Sequence, residues 1–185
     1  MNNLESGVLR EAQRQDLENI RRWRNHPRVR EVSFTRHEIT ATEHGAWWAR
    51  LADDETRRLL VFEWDGIPTG VVLFEKIHLN GVDPGARSAS WGFYLDVDGL
   101  DERGIGLTAW LGVQREALDY AFGTLGVDML TAEVLEDNTA VRRANRRFGF
   151  VEGPPAQRDV GDRTVQYRTI SLRRDQRRAT NRENA

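Results

Sequence analysis

The chain has 185 residues, 39% of them hydrophobic and 30% charged, with a formal net charge of −2. That length supports one domain with a real core, and the charge balance argues against a general nucleic-acid binder, which is usually clearly basic. With no cysteine, disulfides, thiolate nucleophiles and cysteine-ligated zinc are excluded.

The first residues are polar and carry no hydrophobic signal core. No apolar run approaches the roughly 20 residues of a membrane helix, so a cytoplasmic protein without a membrane partner is expected.

In chain order, residues 8–11 form a short strand. Asp16 caps a helix that places Leu17, Ile20 and Trp23 on one face. Asn25-His26-Pro27 ends it, because the residue before proline disfavours the helical region. Residues 42–51 form the next helix. Residues 59–64 and 70–77 are strands joined by a turn at Asp65-Gly66-Ile67-Pro68. A polar loop over 80–85 leads to a strand over 88–95. A long helix starts near Gly104, with Leu107, Trp110, Leu111, Leu118, Ala121, Phe122 and Leu125 on its apolar face and Gly126 at its end. Strand 129–135 precedes a helix capped by Asp137 or Asn138. Its apolar positions are Val141, Ala144 and Phe148, with Arg142, Arg143, Arg146 and Arg147 on the remaining surface and Gly149 as its stop. Residues 163–172 form the last strand. Residues 174–185 lack large apolar side chains and read as a disordered polar tail. The pattern is one α/β domain over 1–173, a mixed sheet with helices on both faces.

Two junctions carry chemistry. In Arg103-Gly104-Ile105-Gly106-Leu107-Thr108, the glycines let the backbone approach an anion closely. The first N–H groups of the following helix lack intrahelical partners and sit at the positive end of its dipole, an arrangement suited to a diphosphate. The second junction is Glu133-Val134, five and four residues before Asn138, with Gly149-Phe150 closing the helix that follows.

Together these residues resemble the acyl-CoA-binding half of the GNAT superfamily of N-acyltransferases, a resemblance that spans residues 8–173. It implies a mostly antiparallel central sheet with one splayed strand pair, acetyl-CoA as cosubstrate, no metal, and direct transfer to a primary amine. The diphosphate is expected on residues 103–108, with the motif Asn138 also in the cofactor site. The pantetheine is expected beside Phe93-Tyr94-Leu95, where a backbone N–H polarises the thioester carbonyl. Glu133 becomes the candidate base, with Glu75 as the alternative. The family usually carries a tyrosine as acid where this chain has Asn145, which cannot give up a proton. The Asn145 amide can still hydrogen-bond the departing sulfur, and a thiol pKa of about 8.5 makes the thiolate a tolerable leaving group. Bland alternatives stand beside these roles: a structural strand glutamate, and a polar residue on a helix surface. One further departure is Asp101, where the family's loop usually has Arg or Gln; Arg103 is the expected substitute cation.

Trp23-Arg24-Asn25, Trp91-Gly92-Phe93-Tyr94, the run Ala117-Leu118-Asp119-Tyr120-Ala121-Phe122, and Glu152-Gly153 after Gly149-Phe150 resemble a narrower branch. Its members acetylate the 4-amino group of a nucleotide-linked 4-amino-4,6-dideoxy hexose in pseudaminic acid biosynthesis. Independently, a nucleotide sugar wants Arg or His for phosphate and flat rings for the base. Trp23, Arg24, His26, His44 and Trp48 offer both, and Glu75 completes the expected acceptor set. Trp23 equally suits a core, and Arg24 a helix end. Two rivals are a protein N-terminal acetyltransferase of the ribosomal type, gated by the 80–85 loop, and a catalytically weak acyl-CoA-binding module. A homodimer is left open.

Overall fold

The computed structural model describes residues 7–80 and 87–177. Seven strands build its sheet: β1 (Gly7–Glu11), β2 (Arg58–Trp64), β3 (Ile67–His78), β4 (Ser88–Leu95), β5 (Met129–Leu135), β6 (Val151–Val160) and β7 (Arg163–Arg173). Their spatial order is β1-β2-β3-β4-β5-β7-β6, and every neighbouring pair is antiparallel except β4 with β5. The helices are α1 (Leu17–Asn25), α2 (Pro27–Glu31), α3 (Ala41–Ala52), α4 (Val97–Arg103), α5 (Gly106–Asp119) and α6 (Thr139–Arg147). No helix among the described residues is long and apolar enough to cross a membrane.

Alternation along the strands splits the apolar residues between two layers. One face carries Phe62, Val72, Phe74, Trp91 and Leu130 against Val113, Ala117 and Phe122. The other carries Leu59, Val61 and Val71 against Ile20 and Trp23 of α1. The β2–β3 hairpin is tighter than the four-residue turn expected from sequence. Asp65 and Gly66 alone form it, both at positive φ (53° and 76°), as a two-residue hairpin loop requires.

The buried apolar side of α5 is Ala109, Val113, Ala117 and Leu118, continued by Ala121 in the turn that follows, whereas Leu107 is 73% exposed and Leu111 is exposed as well. The sequence reading weighted bulk, but this helix lies close to the sheet and its contact face is small. A Cβ on Gly112 would meet the Trp64 ring at 2.4 Å. Gly126, at φ 73°, follows a final π-helical turn, Tyr120–Thr124, at the end of α5.

Four further expectations change. Asp16 does not cap α1 with its side chain; it is buried and accepts from Arg10 Nη1 (2.7 Å), Arg10 Nη2 (2.9 Å) and the Gln13 N–H (2.8 Å). His26-Pro27 ends α1 but at once starts α2, with Pro27 at the first helical position and His26 Nδ1 accepting the Arg28 N–H at 3.2 Å. Residues 151–160, for which the sequence pattern predicts no element, form β6, with Pro154-Pro155 inside it. An edge strand tolerates proline, and the register slips between Glu152 and Pro155. Residues 174–177 form a helical turn rather than loose tail. Arg174 donates to the Val127 carbonyl (2.7 Å) and Arg177 to that of Leu118 (2.8 Å), so guanidinium groups anchor it without apolar burial. The expected gate at 80–85 lies almost wholly outside the described residues, as does the rest of the tail.

Candidate active site

The parallel pairing of β4 with β5 runs only from Ser88–Met129 to Ser90–Thr131. Beyond it the strands part. The Asp96 N–H donates to the Thr69 carbonyl of β3 at 2.7 Å. Peptide groups alternate direction along an antiparallel ladder, so Gly92 and Tyr94 also point at β3, and Phe93 and Leu95 present their N–H groups to the gap. Side-chain type carries no trace of this distinction.

A cleft of about 390 Å³ passes through the gap. Gly106 and Trp110 of α5, Val29 of α2, Ser33 just beyond it and Glu133 of β5 all line it. Its floor is aromatic: Phe93 stacks on Trp91 (centroids 5.6 Å apart) and tilts against Trp110 (6.0 Å). Asn138 and Asn145 of α6 also line it. Asn138 caps α6 by accepting the Val141 N–H at 3.4 Å. Asn145 is 5% exposed, the buried position of a helix whose apolar residues are only half-buried.

The glycine junction differs in detail from the expected loop. Asp101 and Arg103 belong to α4, Gly104 closes that helix at φ 65°, and α5 starts at Gly106. Ala109 is the first residue to donate back along α5, to Ile105 at 2.9 Å. The N–H groups of Gly106, Leu107 and Thr108 precede it and are the open donors of the helix N-terminus. A Cβ at Gly104 or Gly106 would meet nothing within 4 Å, so the space before them is free. Arg103 is turned into the scaffold, donating to the Gly99 carbonyl (3.0 Å) and Thr69 Oγ1 (3.1 Å).

Glu133 lines the cleft and forms an ion pair with Arg158 of β6. The Arg158 guanidinium lies 4.6 Å from the Phe34 ring centroid and 4.4 Å from that of Tyr167, and the two rings meet edge to face at 5.6 Å. Arg163 holds this wall by donating to the Ser33 (3.4 Å) and Phe34 (2.5 Å) carbonyls. Glu75, the alternative base, pairs in register with Ser90 before the gap opens and lies 3.4 Å from Arg57, away from the cleft. Burial raises the Tyr94 phenol well above its ordinary range, so it stays protonated near neutrality.

The expected acceptor set disperses. Trp23 is 2% exposed, a core residue between α1 and the sheet. Arg24, its pKa pushed down by burial, donates to the Thr35 carbonyl at 2.9 Å and so fastens the segment after α2. His26 Nε2 faces Asp98 at 3.2 Å. His44 is buried against Trp47, and burial lowers its pKa. Trp48 lines a separate hollow with Glu11 and Arg58. What gathers near Glu133 instead is Ser33, Phe34, Arg158 and Tyr167. These come from three distant segments, one of them a strand that sequence patterning had not assigned, so no local signal marked them.

Residues 8–151 match the acetyltransferase (GNAT) domain family. The chain belongs to that family. This GNAT acetyltransferase is 32% identical over 129 residues to acetyltransferase PseH of Campylobacter jejuni serotype O:2, covering 69% of the chain and 72% of the relative. A second PseH, from serotype O:23/36, is 30% identical over the same shares. A spermidine N-acetyltransferase from Vibrio cholerae, solved with CoA and spermine, superposes with a TM-score of 0.75 over 93% of this chain and 98% of that one, at 21% identity. An N-acetyltransferase from Staphylococcus aureus Mu50 gives 0.66 over 91% and 98%, also at 21%. At those identities the structures establish the fold: a mostly antiparallel sheet with one splayed pair. The enzyme is an acetyl-CoA-dependent N-acetyltransferase. The open helix N-terminus has the donor chemistry that a diphosphate needs, and the parted strands leave N–H groups unpaired beside apolar rings.

Proposed function

We propose that the enzyme transfers acetyl from acetyl-CoA directly to the primary amine of a nucleotide-linked amino-deoxy sugar. The observation that carries this reading is Arg158, held against Phe34 and Tyr167 beside the cleft carboxylate Glu133. A polyamine brings several positive charges and favours an acidic pocket. Here the carboxylate that would receive it is already neutralised by a guanidinium. A phosphate-bearing acceptor needs no bare carboxylate and can take the Arg158 N–H groups that do not face Glu133, on a guanidinium that Phe34 and Tyr167 hold in place. The similarity to PseH supports the same class.

In this reading the amine nitrogen attacks the thioester carbonyl carbon. The Phe93 or Leu95 N–H receives the developing oxyanion, and one such preorganised donor is worth about 3 kcal/mol. Glu133 accepts the amine proton, directly or through water. The C–S bond then breaks, and the thiolate leaves with the Asn145 amide donating to sulfur.

The test is an acetyl-CoA turnover screen against amino-sugar nucleotides, polyamines, aminoglycosides and short peptides. Amino-sugar nucleotides should be the best acceptors. For them Arg158→Ala should raise the acceptor KM by about 10-fold or more while the acetyl-CoA KM holds, as loss of a charge-assisted bond implies. Turnover confined to polyamines or peptides ends the reading.

A further inference from the structure

Asp101 is an awkward neighbour for a diphosphate. It lies on α4, whose exposed acids Asp98, Asp101 and Glu102 all stand just ahead of the α5 N-terminus. The cation nearest in sequence, Arg103, spends its guanidinium on Gly99 and Thr69. Yet Asp101 is bridged from across the cleft: Arg28 Nη2 donates to Asp101 Oδ2 at 2.6 Å. Among the described residues that line the cleft, Arg28 is the only arginine, lysine or histidine, and Gly106 lines the same cleft. Its side chain is 60% exposed, and among the described residues only Nη2 is engaged, so Nε and Nη1 have no partner there.

We infer that Arg28 binds the diphosphate of acetyl-CoA. It supplies from α2 the positive charge that α4 lacks, and Asp101 positions it. Ion pairing to Asp101 removes the repulsion that a lone carboxylate would exert on the phosphates and keeps the remaining donors at the cleft that Gly106 also lines. Two parallel contacts keep α1 and α2 against α4: His26 to Asp98 at 3.2 Å and Arg22 to Asp96 at 3.9 Å. Val29 and Ser33, close to Arg28 in the chain, line the same cleft as Glu133, so the same arginine ties cosubstrate binding to the shape of the cleft around that carboxylate. The inference is independent of which amine is acetylated.

Calorimetry with CoA, dephospho-CoA and pantetheine tests it without turnover. Arg28→Ala should weaken CoA and dephospho-CoA by about 10-fold or more and leave pantetheine, which has no diphosphate, unchanged. Adding Asp101→Arg to Arg28→Ala places a guanidinium back at the same spot and should restore CoA affinity. Three results would overturn the assignment. One is wild-type CoA affinity in Arg28→Ala. Another is equal weakening of CoA and pantetheine, which would make Arg28 only a prop for α2. The last is a loss confined to CoA and absent with dephospho-CoA, which would move the contact to the 3′-phosphate.

Discussion

At the scale of single residues, Glu133 has two claims on its carboxylate, the acceptor amine and Arg158. If it takes the amine proton, Glu133→Gln should lower kcat by about 10²-fold with less effect on the acetyl-CoA KM. The deficit should narrow at high pH, where more of the acceptor amine is already neutral. A wild-type rate would leave Glu133 as a structural partner of Arg158. Asn145 offers the complementary test. It is 5% exposed and lines the cleft, so a phenol ring there competes with the pantetheine for space. Asn145→Tyr should therefore leave turnover unchanged or lower it. A rise of about 10-fold, equal to about 1.4 kcal/mol off the barrier, would mean that leaving-group protonation limits the rate.

At the scale of elements, the α4–α5 junction and α1 make opposite predictions. Gly106 opens α5 beside free space, so a side chain there fills room that the diphosphate would use. Gly106→Val should reduce CoA affinity measured by calorimetry while circular dichroism stays native. Trp23 belongs to the seam between α1 and the sheet. Trp23→Ala should cost about 3–5 kcal/mol of stability in chemical denaturation, as large-to-small core changes do. It should show no selective rise in the acceptor KM. Sequence periodicity placed Trp23 correctly on the face of Leu17 and Ile20, but it could not decide whether that face met the sheet or a ligand. The α5 face was misjudged for a related reason: Gly112 and Ala117 reveal close packing only when Trp64 and Phe62 of β2 lie opposite.

Across the whole molecule, charge pairing fastens segments far apart in sequence. Arg142 joins Glu136 at the end of β5 to Glu152 at the start of β6, and Arg168 of β7 joins the same Glu136. Asp16 is the most buried of these acids. The Arg10 guanidinium beside it holds its carboxyl below the usual carboxylate range. A folded pKa below the unfolded value of about 3.9 adds stability above that pH, which is lost as pH falls through the folded value. Asp16→Asn should cost about 1–2 kcal/mol at pH 7, the partial exposure of Arg10 keeping the figure modest. The difference from wild type should shrink below about pH 4. Urea titrations at pH 7 and pH 3 check this, and an equal cost at both would show that charge is not the cause.

The features legible from sequence alone are those that a few neighbouring residues dictate. Strand and helix alternation, the Asp65-Gly66 reversal, the Asn138 cap and the Gly104–Gly106 junction each follow from backbone limits or local hydrogen bonds. Together with the GNAT resemblance they led to the family and the cosubstrate. Tertiary structure decided where β4 leaves β5, and thus that Phe93 and Leu95, not Tyr94, offer amides to the gap. It also decided that Trp23 is core, that Arg158 meets Glu133 between Phe34 and Tyr167, and that Arg28 reaches Asp101. These contacts join residues dozens of positions apart. Their partners are chosen by how the sheet twists and the helices pack, a property of the assembled chain that no local pattern carries.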